Sequence, residues 1–232
     1  DMGWMNDTLD YFRTGPEYRQ ESYHKLTFSM MYFYNDSFLL PLSHDEVVHG
    51  KATIMQKMHG DYDEKFPQAR AFYMYMYAHP GKKLNFMGNE FGQLREWDEK
   101  RQQDWDILSY PIHDAFHRFM KDLNRLYLKH PAFYEKDYEA DGFRWIDCHQ
   151  EPRCIYAFQR FAKKERILAV FNFSDQEQKN YKLEITETKK LTPLLASDSQ
   201  EYGGVKKYNK TEIILKNGQA VCNLSPYSAV YY

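Results

Sequence analysis

The stretch FLLPLSHDEVVHGK, residues 38–51, places a short apolar run directly in front of two histidines, an aspartate and a glutamate. A run of this length reads as a buried strand, so the polar HDE at 44–46 emerges at its carboxyl end. Pro41 has no N–H to give to a ladder, which implies a bulge, a bend or a position at the strand's end. The next run of the same kind is KLNFM, 83–87, and PQARAFYMYMYAH, 67–79, lies between the two. There Pro67 suits a first helical turn, and Phe72, Tyr75, Met76 and His79 recur at helical spacing as an apolar stripe for a sheet. Pro80-Gly81 stops that helix. After KLNFM come the loop GNEFGQ, the polar and tryptophan-rich REWDEKRQQDW, and a further helix opening near Asp114 and ending before Pro131. Strand, helix, strand, helix predicts parallel strands joined by crossover helices.

Beyond about residue 135 the pattern changes. FRWIDC, CIYAFQRFA, RILAVFNFS, NYKLEI, KLTPLLAS, TEIILK, QAVCNL and SAVYY are short runs of strand-forming residues separated by turn residues. Asn217-Gly218, between TEIILK and QAVCNL, suits a hairpin whose two central residues take positive φ. The expected fold is therefore α/β and then all-β, with an antiparallel β-sandwich at the carboxyl end.

The totals exclude several classes of function. With 31 basic and 33 acidic residues in 232, and no long like-signed run, nothing favours nucleic acid or an anionic membrane as a partner. No apolar run approaches the ~20 residues needed to span a bilayer. Cys148, Cys154 and Cys222 are odd in number and lack CxxC spacing, which points to a reduced, cytoplasmic setting. The aromatic content, 17%, suits sugar stacking but is better accounted for by core packing, because large rings dominate ordinary interiors.

The polar cluster itself admits three readings. HDEVVH is a near miss for the zinc-protease helix: Glu46 and His49 are correctly spaced, but Asp45 holds the first histidine's place and the preceding run makes a strand end. Neither a metal nor a cofactor is expected. Acid–base chemistry fits if the two strands are parallel barrel strands, because Asp45, Glu46 and Glu90 then project from the carboxyl ends, where barrel enzymes carry their active sites. Carboxylates gathered there suit glycosyl transfer, whose transition state develops positive charge. The plainer alternative is that these acids cap helices or pair with lysines.

LPLSHDEVVHGK resembles the fourth conserved region of the alpha-amylase clan, glycoside hydrolase family 13, in the form found in glycogen-branching enzymes. MGWMNDTLDYF is similar to that family's segment after the sixth barrel strand, and AHPGKKLNFMGNEFGQLREWDEKRQQDW to its eighth strand and flanks. HRFMKDLNRLY and PYSAVYY extend the likeness over essentially the whole chain. The resemblance implies that Asp45 is the third catalytic carboxylate, steadying the transition state, and that His44 and Glu46 bind substrate, an alpha-glucan. It leaves His49 as a structural residue. Trp97 and Trp105 either stack on glucan or pack barrel against sandwich.

The family's nucleophile and general acid have no counterpart here, and a full barrel needs ~250 residues. The expectation is thus the last part of a (β/α)8 barrel over residues 1–133 and a β-sandwich over 134–232, inactive alone and prone to self-association through open strand edges. Two rival readings remain: a hydrolase of the same clan, and a non-catalytic glucan-binding or interaction module.

Overall fold

A computed structural model describes residues 1–207 and 211–232. The α/β part contains α1 (Met2–Arg13), α2 (His24–Thr27), β1 (Leu39–Leu42), α3 (Ile54–Lys57), α4 (Tyr62–Ala78), β2 (Lys82–Asn85) and α5 (Pro111–Lys129), with short segments of 3-10 helix between them. β1 and β2 pair in parallel, Leu39 opposite Lys82 and Leu42 opposite Asn85, as strands joined by a crossover helix should. Pro41 lies inside β1, opposite Leu84, without a bulge. Its neighbour Leu42 turns its carbonyl towards the Phe86 N–H (2.9 Å), so the edge where Pro41 lacks a donor faces away from β2.

α4 corrects the expectation at its amino end. It begins at Tyr62, not Pro67, because the Glu64 carboxylate turns back to accept the Asp61 N–H (3.0 Å) and fixes the first turn there. Pro67 sits inside the helix, where it forgoes one bond to an exposed carbonyl. The helix is also not amphipathic: every residue from Gln68 to Ala78 is buried. From Gln68 on it is enclosed, because two strands of the β part pack against it as well as α3 and α5. α5 likewise opens three residues ahead of Asp114, with Pro111 at its first position.

The β part comprises β3 (Phe143–Gln150), β4 (Ile155–Phe161), β5 (Arg166–Asn172), β6 (Gln178–Glu184), β7 (Lys190–Leu191), β8 (Leu195–Ala196), β9 (Ile213–Ile214), β10 (Gln219–Leu224) and β11 (Ser228–Tyr231). A five-stranded sheet runs in the order β3-β4-β5-β11-β8, and β6 pairs with β10 in a second layer. Alternation assigns each residue of the central strands to a face. Ile155, Ala157, Leu168 and Val170 meet Leu183, Ala220 and Leu224 of the second layer. Tyr156, Phe158, Ala169 and Phe171 turn the other way, into a core shared with α1, α4 and α5.

Two strand assignments differ from the sequence reading. KLTPLLAS splits at Pro193 into β7, which pairs with β9, and β8, which pairs with β11. Asn217 (φ 53) and Gly218 (φ 76) form the expected turn, closed by Lys216 and Gln219, but beyond it β9 and β10 leave for different partners.

Buried guanidiniums fasten α4 and its surroundings to the β part. Arg19 donates to the carbonyls of Phe173 (2.6 Å) and Phe12 (3.1 Å) and to Gln68; Arg70 donates to the Ser197 carbonyl (2.6 Å). Arg160 donates to the Ala78 carbonyl (2.7 Å) and pairs with Asp137 (2.8 Å), which also holds Lys82.

Candidate functional site at the carboxyl ends of two parallel strands

Both parallel strands finish in a single 3-10 turn. After β1 it is His44–Glu46, closed by the Val47 N–H donating to the His44 carbonyl (2.9 Å); after β2 it is Asn89–Phe91. The first of these turns begins two residues after the last ladder pair and projects its side chains from the end of β1, whereas the second begins four residues past β2. The Asp45 carboxylate is 68% exposed, and its Oδ1 lies 3.2 Å from His44 Nε2. The His44 ring is 5.7 Å from that of Phe86, the residue next after β2, and 6.1 Å from Trp97. Phe86 and Trp97 stand edge to face at 5.3 Å. A carboxylate and an imidazole beside two aromatic rings can accept and donate hydrogen bonds to sugar hydroxyls while apolar ring faces cover the sugar's C–H side.

Glu46 points elsewhere. Its carboxylate is nearly buried and lies 3.3 Å from Lys51 Nζ and 3.8 Å from Lys57 Nζ. Lys57 also donates to the Glu46 and Ala52 carbonyls. Burial lowers the Lys57 ammonium below its ordinary value, and the neighbouring Glu46 charge partly restores it. These groups line a hollow against α1 with Asn6 and Arg13. The structure thus brings His44 and Asp45 together and sets Glu46 apart.

Glu90 does not join Asp45 either; its Oε2 accepts the Gly88 N–H (2.8 Å), a local capping contact. His49 takes a left-handed backbone, φ 56, in the loop that follows the turn. Trp105 lies against Phe91, ring centroids 4.7 Å apart and tilted by 35°, and is well exposed.

Sequence reasoning passed over Arg95-Glu96-Trp97 as a unit. Arg95 grips Asp104 with two nitrogens, Nη2 at 2.8 Å and Nε at 3.1 Å from both oxygens. Glu96 accepts from the N–H groups of Gly50 (2.9 Å) and Ala52 (2.7 Å), which hold its pKa below the usual glutamate range. Trp97 donates its backbone N–H to the Val47 carbonyl (2.9 Å). A charged–charged–aromatic triplet carries no periodicity, so nothing in its spacing announces a partner forty-six residues away.

Residues 145–232 match the family model described as the alpha amylase C-terminal all-beta domain. The chain is 46% identical over 205 residues to 1,4-alpha-glucan branching enzyme GlgB of Aquifex aeolicus, covering 88% of this chain and 32% of that protein. It is 42% identical over 214 residues to the GlgB of Bacillus cereus, with 91% and 33% covered, and 43% identical over 213 residues to that of Oceanobacillus iheyensis, with the same coverages. The chain therefore spans about a third of the length of the curated relatives it matches. Among solved structures, pullulanase complexed with maltotetraose from Anoxybacillus sp. LM18-11 superposes with a TM-score of 0.68 at 14% identity. It covers 100% of this chain and 34% of that one, a likeness of fold.

Proposed function

Starting from a chain that corresponds to the carboxyl-terminal portion of 1,4-alpha-glucan branching enzymes, we propose that it supplies one rim of the glucan site in such an enzyme, together with the β layer behind it. Residues 1–133 are the last part of the barrel and 134–232 the sandwich. The setting is glycogen synthesis in the cytoplasm, and the partner is an alpha-glucan.

The reaction is retaining transglycosylation. A carboxylate nucleophile attacks the anomeric carbon of an alpha-1,4 bond while a general acid protonates the departing oxygen; both groups come from parts of the enzyme outside this sequence. A 6-hydroxyl of glucan then gives its proton to the conjugate base of that acid, displaces the enzyme carboxylate and forms the alpha-1,6 bond. Asp45 accepts hydrogen bonds from the hydroxyls beside the anomeric carbon, and its charge opposes the positive charge that develops there. His44 binds the same sugar, and Glu46 serves the donor side through the Lys51 ammonium it holds. The present chain alone has no turnover, and in isolation it associates with itself through the open edges of β1 and β2.

The observation that carries this reading is the exposed Asp45 carboxylate beside His44, whose ring in turn lies 6.1 Å from that of Trp97, just after a parallel strand. Product analysis on amylose tests it. The enzyme containing this sequence should create alpha-1,6 linkages with little new reducing sugar. Reducing ends that rise without branches would instead indicate a hydrolase.

A further inference from the structure

We propose that Glu96 is a positioning residue: its carboxylate clamps the loop that follows the His44–Asp45 turn, and so sets the orientation in which Asp45 meets substrate. This rests on the role proposed for Asp45. Three of the four residues from His49 to Ala52 have left-handed backbones, at φ 56 for His49, 79 for Gly50 and 65 for Ala52. Two of them carry a Cβ, for which that conformation is unfavourable, so local preference does not maintain this loop. Something outside must hold it.

The two oxygens of Glu96 do so. One takes the Gly50 N–H at 2.9 Å and the other the Ala52 N–H at 2.7 Å, as an anion fills a concavity of converging backbone donors. On the same stretch the Trp97 N–H holds the Val47 carbonyl at 2.9 Å, and the Val47 N–H in turn closes the turn on His44 at 2.9 Å. The clamp has a firm base, because Arg95 is locked to Asp104 and donates to the carbonyls of Glu96 (3.2 Å) and Gln102 (2.8 Å). Gly50 needs glycine only for its backbone, since a Cβ there would meet nothing within 4 Å. The loop's shape is therefore set by its donors, not by side-chain crowding. Facing Glu96 are the Lys57 ammonium and the titratable ring of His49, both of which act to favour the ionised carboxylate.

The first test is nuclear magnetic resonance on the 232-residue chain. On acidification the Gly50 and Ala52 amide signals should move together with the Glu96 carboxyl signal, with a common midpoint below the usual glutamate range. The His44 ring signals should report the same event. Glu96→Gln should abolish the shared midpoint and displace the His44 signals while the overall amide spectrum persists; Glu96→Asp should recover part of the wild-type pattern. In the branching enzyme containing this sequence, Glu96→Gln should lower kcat about tenfold and change KM for amylose less than about twofold.

Amide and His44 signals that ignore the substitution overturn the clamp. Lost coupling with unchanged kcat overturns its role in positioning. If Asp45→Asn retains activity while Glu96→Gln still displaces the His44 signals, the Asp45 reading fails and the clamp stands.

Discussion

His79, at the end of α4, is buried with Nδ1 2.8 Å from the Pro80 carbonyl and Nε2 3.0 Å from Ser29 Oγ. Both bonds suit a neutral ring that donates from Nδ1 and accepts at Nε2. Burial pushes its pKa down from 6.5 to about 3, with Lys83 and Arg160 acting in the same direction and Asp137 against them. Between those pH values the unfolded chain takes up a proton that the fold refuses, so stability falls as pH drops through that window. The loss reaches roughly 4 kcal/mol at its acid end. Denaturant titrations from pH 7 to 3.5 should show a shallower decline for His79→Asn than for the wild type. Parallel declines would mean that other groups govern acid sensitivity. At Asp137 the neighbouring charges outweigh burial: burial alone would raise it, but Lys83, Arg160 and Lys82 hold it below its ordinary value, so its contribution too is lost as pH falls. Asp137→Asn leaves Arg160 buried without a counter-charge and should cost about 3–5 kcal/mol, read from the denaturant midpoint. A loss under about 1 kcal/mol would place that pair among the dispensable ones.

At the scale of elements, the turn between β9 and β10 gives a clean measure of backbone cost. A Cβ at Gly218 would meet no atom closer than 3.8 Å, so Gly218→Ala tests φ alone, and it should destabilise by about 1 kcal/mol. This turn was legible because Asn-Gly chemistry is local. β1 and β2 were legible for the same reason, each being a short apolar run with polar residues just beyond it. The start of α4 was not, because Pro67 drew the boundary, whereas Asp61 and Glu64, spaced as a capping pair, decided it. The full burial of α4 also escaped the periodicity: a stripe reports one packed face, and the second packing layer arrives from strands more than seventy residues on. In the candidate site, the Asp45 turn was readable from its place after β1. The clamp on it was not, because hydrogen bonds from backbone amides to Glu96 leave no residue-type signature at positions 50 and 52.

Across the whole molecule, one core joins α1, α4 and α5 to the inner face of the five-stranded sheet. Each large side chain buried there contributes about 1.5–3 kcal/mol, which residues 134–232 would forfeit if separated. The 232-residue chain should therefore unfold in one transition, seen alike by near- and far-ultraviolet circular dichroism, and residues 134–232 expressed alone should not fold cooperatively. Two resolved transitions would show that the β part is independent. The other side of β1 and β2 is less complete, with Leu39, Leu84 and Met87 substantially exposed beside unpaired strand edges. Sedimentation of the chain should reveal concentration-dependent association that Leu84→Lys weakens; a monomer at all concentrations would refute contact through that face. The most direct test of the proposed chemistry is branch formation by the enzyme containing this sequence, compared with its Asp45→Asn variant at equal thermal stability. Turnover should fall by about a hundredfold or more, as expected when a charge that steadies the transition state is removed. Near-normal branching would show that this carboxylate takes no part in the reaction.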